Sequence, residues 1–133
     1  MATHVTKIQT LTVPLETQPG SLGKVYSAFK EAGVNIIASW AYEMGPGQAQ
    51  AHFYAVDTHK AKDVLTKMGK TPTFDDAVYA EGDDRVGVYA ELLAKAAKAG
   101  VNIDATDAFG VKGKFAAVFF AKDITSLCTA LGC

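Results

Sequence analysis

The chain has 133 residues, of which 49% are hydrophobic and 20% are charged, and its formal net charge at pH 7 is -1. This composition is ordinary for a folded globular protein and argues against a disordered one. Because there is no clustered excess of lysine and arginine, we expect neither a nucleic acid nor an anionic membrane as a partner. The sequence has no apolar run of membrane-spanning length and no apolar signal segment near Met1, so we expect a cytoplasmic protein.

A short segment of the sequence occurs twice. Gly-Val-Asn-Ile stands at residues 33–36 and again at residues 100–103, and further glycine and apolar positions align at the same offset without a gap. Repetition at a fixed offset is typical of a duplicated supersecondary unit. We therefore predict two tandem repeats, the first at residues 1–70 and the second at residues 71–133.

The spacing of apolar residues changes along the first repeat between the period of a strand and the period of a helix. The helical segment is opened by Pro19-Gly20-Ser21 and closed by Gly33, which are typical helix boundaries. Gly45-Pro46-Gly47 separates two alternating runs and predicts a hairpin, and Asp57 is the predicted cap of a second helix. The predicted elements are a strand at residues 11–15, a helix at residues 22–32, hairpin strands at residues 36–44 and 49–55, and a helix at residues 61–68.

The second repeat has the same order with a slightly shorter hairpin, and Asp123 is the predicted cap of its last helix. Each repeat therefore reads β-α-β-β-α. The predicted fold class is α+β, with antiparallel sheets that carry their helices on one face. The predicted elements are a strand at residues 77–81, a helix at residues 89–99, hairpin strands at residues 103–109 and 115–121, and a helix at residues 124–131.

The turn before the first helix of each repeat carries a recognisable pattern. It reads Thr17-Gln18-Pro19-Gly20-Ser21-Leu22 in the first repeat and Asp84-Arg85-Val86-Gly87-Val88-Tyr89 in the second. Together with the element order and the repeated Gly-Val-Asn-Ile, this turn resembles that of the ACT domain, an amino-acid-sensing module of ferredoxin-like topology. The family's turn commonly reads Asp-x-Pro-Gly-x-Leu, so the first repeat lacks the aspartate and the second lacks the proline.

The number of strands departs from the family pattern. A complete ACT unit ends with a fourth strand, whereas this sequence predicts six strands for two units instead of eight. Either the strand near residues 74–81 also closes the first repeat's sheet, or the open edges are covered by the other repeat or by another chain, because exposed edges invite pairing. We expect a homodimer.

The resemblance implies an amino-acid site between two units, where the first turn of one meets the asparagine region of its neighbour. A glycine in the turn lets the backbone approach a ligand, and the following helix N-terminus attracts a carboxylate. The asparagine amide offers two donors and an acceptor. The implied ligand-binding residues are Thr17, Gln18, Gly20, Ser21 and Leu22 with Asn102, or Asp84, Arg85, Gly87, Val88 and Tyr89 with Asn35.

These candidates also have structural interpretations. Asn35 and Asn102 could hold a left-handed or turn conformation after a glycine, and Ser21 could be only a helix cap. Asp84 and Arg85 could be solvated surface charges rather than partners of an ammonium and a carboxylate.

The sequence contains no recognisable catalytic constellation. His4, His52 and His59 do not have the spacing of metal ligands, and no nucleophile stands at readable distance from a base. We expect neither an enzyme nor a cofactor. Cys128 and Cys133 are interpreted as one half-buried helix thiol and one free thiol.

The resulting hypothesis is a stand-alone regulatory protein that binds an amino acid or similar small metabolite between ACT-like units. It would signal through oligomer or partner interfaces, with a metabolic enzyme as a possible partner. The alternative is a dimerisation or interaction module that docks on a metabolic enzyme and binds no ligand.

Overall fold

A computed structural model describes residues 3–133. The described part is α+β, with six strands in antiparallel pairing and four helices in the predicted order. The elements are β1 (His4–Leu15), α1 (Ser21–Ala32), β2 (Ile36–Gly45), β3 (Gln48–Ala55), α2 (Thr58–Lys67), β4 (Thr73–Asp83), α3 (Val88–Lys98), β5 (Ala105–Val111), β6 (Lys114–Phe120) and α4 (Ile124–Leu131).

The chain forms two compact units whose limits fall inside strands. One unit, called the continuous unit, is Gln9–Asp75, and the other, called the split unit, combines residues 3–8 with Asp76–Cys133. Strands β1 and β4 therefore each contribute one segment to each unit. The boundaries of the ancestral repeats, residues 1–70 and 71–133, stay a prediction.

The sheet of the continuous unit has the order β2-β3-β1-β4. Leu11 pairs with Phe53 and Val13 with Ala51 in the antiparallel ladder of β1 and β3. The fourth strand segment is residues 73–75, which is anchored on β1 where the Thr10 hydroxyl donates to the Asp75 carbonyl at 3.1 Å. Of the two explanations for the missing strand, the one in which β4 also closes the first sheet is therefore confirmed.

In the split unit, the strand order is β1-β4-β6-β5. Val78 pairs with Phe119 in the ladder of β4 and β6. Residues 4–8 of β1 form the fourth strand segment here, and Val5 packs against the unit's core. Both units thus complete four strand segments from this chain alone, while the expected homodimer stays a prediction.

The core of the continuous unit lies between one face of its sheet and helices α1 and α2. Phe29 of α1 and Phe53 of β3 are both fully buried, and their rings meet edge to face with centroids 5.1 Å apart. Residues on the core-facing side of β1 and β3 alternate with residues on the opposite face, as the strand pleat requires. The buried core residues are Leu11, Val13, Leu15, Val25, Phe29, Val34, Ala51, Phe53, Ala55, Ala61 and Leu65.

The core of the split unit has the same construction, with α3 and α4 on one face of its sheet. The carboxylate of Asp123 caps α4 by accepting from the Ser126 backbone N–H at 3.0 Å, which confirms the predicted cap. The buried core residues are Val78, Ala80, Val88, Leu92, Ala96, Phe115, Ala117, Phe119, Leu127, Cys128 and Leu131.

Cys128 and Cys133 form a disulfide. The interpretation of these residues as two separate thiols was therefore wrong. Gly132 turns the chain back after α4 in a left-handed conformation with φ 108°, and the Cys133 N–H donates to the Cys128 carbonyl at 2.9 Å. This turn brings the two sulfur atoms together, a proximity that the spacing of the cysteines in sequence does not reveal.

Candidate functional site

The N-terminus of α1 is open to a ligand. Gly20 is its N-cap, with a left-handed φ of 87°, and no side chain caps the helix. The Ser21 N–H donates to the Gln18 carbonyl at 3.2 Å, so Ser21 is the first helical residue and its interpretation as a cap was wrong. The next two backbone N–H groups, of Leu22 and Gly23, have no intrahelical partner at a helix start. They carry the positive end of the helix dipole.

A contrast with the other three helices of residues 3–133 supports this point. Helix α2 begins at Asp57, whose carboxylate accepts from the Lys60 N–H at 3.0 Å, and α4 is capped by Asp123 in the same way. Helix α3 begins like α1, at the left-handed Gly87 with φ 87° and no side-chain cap. Among the four helices of residues 3–133, α1 and α3 therefore begin without a side-chain acceptor, and α2 and α4 begin with one.

A cavity of about 310 Å³ lies beside the first turn of α1. Four of the predicted site residues line it together, namely Thr17, Gln18, Ser21 and Leu22. Its volume is at the lower end of the range for small-molecule sites. The sequence analysis missed the rest of the lining, which is Leu15, Glu16, Ala41, Tyr42, Glu43 and Ala49.

Two acidic side chains distinguish this cavity. Glu16 follows the end of β1 and Glu43 stands near the end of β2, and both line the cavity and are exposed. Their carboxylates can accept from an ammonium group, whereas the helix N-terminus favours a carboxylate. The two ends of a zwitterionic amino acid thus find complementary charge in one cavity.

Asn35 lies apart from this cavity within the same unit. It follows the C-terminal end of α1, a helix of 12 residues that is about 18 Å long. Asn35 is exposed, and its backbone carbonyl accepts from the Val56 N–H at 3.0 Å. Its φ is not positive; the left-handed residue here is Gly33, with φ 73°. The left-handed interpretation of Asn35 was therefore wrong.

In the corresponding turn of the split unit, Arg85 is already paired within the unit. The Arg85 guanidinium donates to both carboxylate oxygens of Glu91, with Nη2 3.1 Å from Oε1. This hydrogen bond raises the pKa of Arg85 and lowers the pKa of Glu91. The Asp84 carboxylate lies against Gly110, where a Cβ would come within 2.6 Å of Oδ2. Both charges of this turn are solvent-exposed, and that of Arg85 is already paired within the unit.

The remaining candidates of the split unit have structural partners. Val88 is buried in the core, and the Tyr89 hydroxyl lies 2.8 Å from the Thr106 hydroxyl. The Asn102 amide is exposed and donates to Asp104 at 3.3 Å. Asn102, like Asn35, has no positive φ, since Gly100 carries that conformation with φ 73°.

A polar network on the other face of the continuous unit's sheet was not anticipated. Nε2 of His52 lies 2.8 Å from the Tyr42 hydroxyl, and Nδ1 lies 2.9 Å from the Thr12 hydroxyl, which in turn donates to the Asp75 carboxylate. Trp40 stacks on the His52 ring with centroids 5.1 Å apart. Burial lowers the pKa of His52, and the charge of Asp75 opposes this shift. In the sequence, His52 stands in one strand of the predicted hairpin, and the aromatic residues Trp40 and Tyr42 alternate in the other. This arrangement was the sequence signal that could have predicted the network.

No cluster of three or more histidine, cysteine, aspartate or glutamate side chains within residues 3–133 could hold a metal ion. Among the helices of the same residues, none is long and apolar enough to cross a membrane.

Comparison with solved structures finds the same fold in other proteins. A Bacteroides thetaiotaomicron protein superposes with a TM-score of 0.87 at 19% identity, over 96% of this chain and 88% of that one. The ligand-free regulatory subunit of aspartate kinase from Thermus thermophilus gives 0.71 at 18% identity, over 98% and 95%. The chain shares the fold of this regulatory subunit. The resemblance inferred from the sequence is thereby confirmed.

Another similar structure is Escherichia coli aspartokinase III in complex with lysine and aspartate, with a TM-score of 0.59 at 12% identity. The match covers 98% of this chain and 32% of that enzyme. No protein-family model and no curated protein matches the sequence. At these identities the comparisons establish the fold, and several of the matched structures are regulatory subunits rather than catalytic ones.

Proposed function

We propose that this protein is a non-enzymatic regulatory protein that binds an amino acid or a similar small metabolite. Its fold is shared with regulatory subunits of aspartate kinase, and one similar structure is an aspartokinase in complex with lysine and aspartate. The observation that carries the proposal is the uncapped N-terminus of α1 beside a cavity that also holds two carboxylates.

The ligand would lie in the cavity of the first turn with its two charged groups at opposite sides. Its carboxylate would accept from the N–H groups of Leu22 and Gly23, where Gly20 has no side chain to obstruct the approach. Its ammonium would be held by Glu16 and Glu43. Thr17, Gln18 and Ser21 would supply neutral hydrogen bonds around it, and Asn102 of a neighbouring ACT-like unit would complete the site as the family resemblance implies.

The second turn would form the weaker site. A ligand carboxylate at Arg85 has to compete with Glu91, which already takes both guanidinium donors. The second predicted set, Asp84, Arg85, Gly87, Val88 and Tyr89 with Asn35, is retained as a subsidiary proposal. The two ACT-like units are further proposed to be tandem repeats in a cytoplasmic homodimer, and the ligand to stabilise its docked state on a metabolic enzyme.

An alternative function rests on the second turn, where Arg85 already pairs with Glu91. If ligand binding has been lost, the chain is a dimerisation or interaction module that docks on a metabolic enzyme. The Arg85–Glu91 ion pair favours this alternative for the split unit, because it occupies the charge that a ligand would need.

The deciding experiment is the melting temperature in the presence of each of the twenty amino acids. A ligand at about 100 times its Kd adds roughly 2.7 kcal/mol to the free energy of unfolding, which raises the melting temperature by several degrees. Glu43→Gln should abolish the shift, whereas Glu31→Gln, on the same unit but outside the cavity lining, should retain it. No shift with any amino acid at high concentration would support the interaction module instead.

A further inference from the structure

A second cavity, of about 550 Å³, lies in the continuous unit beside β1, the hairpin of β2 and β3, and the residues that lead into β4. Leu15 and Ala49 line this cavity as well as the one at the first turn of α1, whereas Ala51 and Phe53 of β3 face the helices. Gln48 and Gln50 stand on the alternate face. The cavity is lined by Thr12, Pro14, Leu15, Met44, Gly47, Gln48, Ala49, Gln50, Thr71 and Thr73.

The lining of this cavity combines apolar surface with three threonine and two glutamine side chains, and it carries no ionisable side chain. The amides of Gln48 and Gln50 and the hydroxyl of Thr71 make no hydrogen bond to another group in the described part of the chain. Each amide presents two donors and an acceptor, so the pair can satisfy a ligand edge on which donors and acceptors alternate. A zwitterionic or anionic ligand would lose its hydration here without gaining a countercharge.

The floor of the cavity is held in place by the polar network. Thr12 donates its only hydroxyl proton to Asp75 and accepts from His52, so its side chain cannot rotate freely. The Thr73 hydroxyl donates to the Thr12 carbonyl at 3.4 Å. Because these side chains are already fixed, less side-chain conformational entropy is lost when a ligand binds.

The rim of the cavity adds apolar surface. The Met44 side chain is 58% exposed, and Pro14 lies at the same cavity. The Met44 thioether is polarisable and can contact an aromatic ring, and Pro14 adds apolar surface beside it. The lining thus combines an apolar surface that can contact the face of a ligand ring with amides that can bind the edge of that ring.

We infer that this cavity is a second ligand site, for a neutral planar heterocycle that carries adjacent hydrogen-bond donors and acceptors, such as a nucleobase. The inference is independent of the proposed amino-acid site, which lies at the first turn of α1 and depends on charge. It follows that the two sites differ in their ligands: one requires a zwitterion, and the other rejects it.

The test uses adenosine, uridine and nicotinamide as probes in titrations of the full chain followed by ¹H–¹⁵N spectra. At least one probe should shift the side-chain amide signals of Gln48 and Gln50 at sub-millimolar concentration. Gln50→Leu should weaken that probe at least tenfold, and Thr71→Val, which lies outside the strands, should weaken it severalfold. Gln18→Leu, in the other cavity, is the matched control and should bind the same probe with the affinity of the original chain.

The inference is overturned if none of the three probes shifts these signals at millimolar concentration. It is also overturned if the Gln50→Leu and Thr71→Val variants, shown to be folded by their backbone spectra, bind as tightly as the original chain. Failure of the amino-acid panel leaves this test unaffected, because the probes carry no charge and the cavities share no ionisable residue.

Discussion

Nδ1 of His52 lies 2.9 Å from the hydroxyl oxygen of Thr12 in the sheet of the continuous unit. Because Thr12 donates its proton to Asp75, it accepts from His52, which places the imidazole proton on Nδ1. Nε2 is then the acceptor for the Tyr42 hydroxyl at 2.8 Å. This chain of donors and acceptors holds a buried histidine in its neutral form.

The first prediction concerns stability against pH. Burial lowers the pKa of His52 below its ordinary value of 6.5, so the unfolded chain binds the proton first as the pH falls. The contribution of neutral His52 to the free energy of unfolding should be fully present above about pH 6.5. It should be lost as the pH falls from 6.5 to the lower pKa of His52 in the folded state. Urea unfolding between pH 7.5 and 5 measures this as a falling midpoint.

Two matched variants test whether this decrease in stability with falling pH arises from His52. His52→Gln should remove most of the decrease between pH 6.5 and 5, and His59→Gln, at an exposed histidine, should keep it. The lowered pKa values of Asp83, Glu91 and Asp123 act in a separate window, since their stabilisation is lost only below the ordinary carboxylate pKa. An unchanged slope in His52→Gln would contradict the assignment.

The second prediction concerns Thr12. Thr12→Val keeps the side chain's shape but removes the hydroxyl that joins His52 to Asp75. We expect the free energy of unfolding to fall by about 1–3 kcal/mol, because both partners lose a hydrogen bond where water reaches them poorly. Thr12→Ser keeps the hydroxyl and should lose less. Equal losses in the two variants would show that packing of the methyl group, rather than the network, is responsible.

The third prediction compares two glycines of α1. Gly20 has a left-handed φ of 87°, so Gly20→Ala should destabilise the protein by about 1 kcal/mol although a Cβ meets no neighbouring atom. Gly23 lies inside the helix without positive φ, and Gly23→Ala should stabilise it by roughly 0.5–1 kcal/mol. Chemical denaturation of both variants measures the pair, and a stabilising Gly20→Ala would contradict the conformation at the turn.

The fourth prediction concerns the disulfide between Cys128 and Cys133. It closes a short loop, so its loss should cost about 2 kcal/mol or less. Adding a reductant should lower the melting temperature of the original chain and leave that of Cys133→Ser unchanged. A reductant effect that persists in Cys133→Ser would show that the disulfide is not its cause.

Much of the secondary structure was predictable from the sequence because it depends on local chemistry. The alternation of apolar residues in the strands depends on a few neighbouring residues only. The same holds for the helical spacing that ends at Gly33 and for the aspartate caps at Asp57 and Asp123. The first turn was also found this way, and four of its predicted residues line one cavity.

The tertiary structure alone decided which distant groups meet. Glu16 and Glu43 reach the same cavity because β2 is paired through β3 with β1, and Thr12, His52 and Asp75 meet because three strands align in one register. The sequence left two explanations for the fourth strand open, and the tertiary structure decided between them, since β1 and β4 each serve two units. Sequence patterns record local periodicity and turn preference, whereas strand partners and the groups they bring together are determined by packing across the whole sheet.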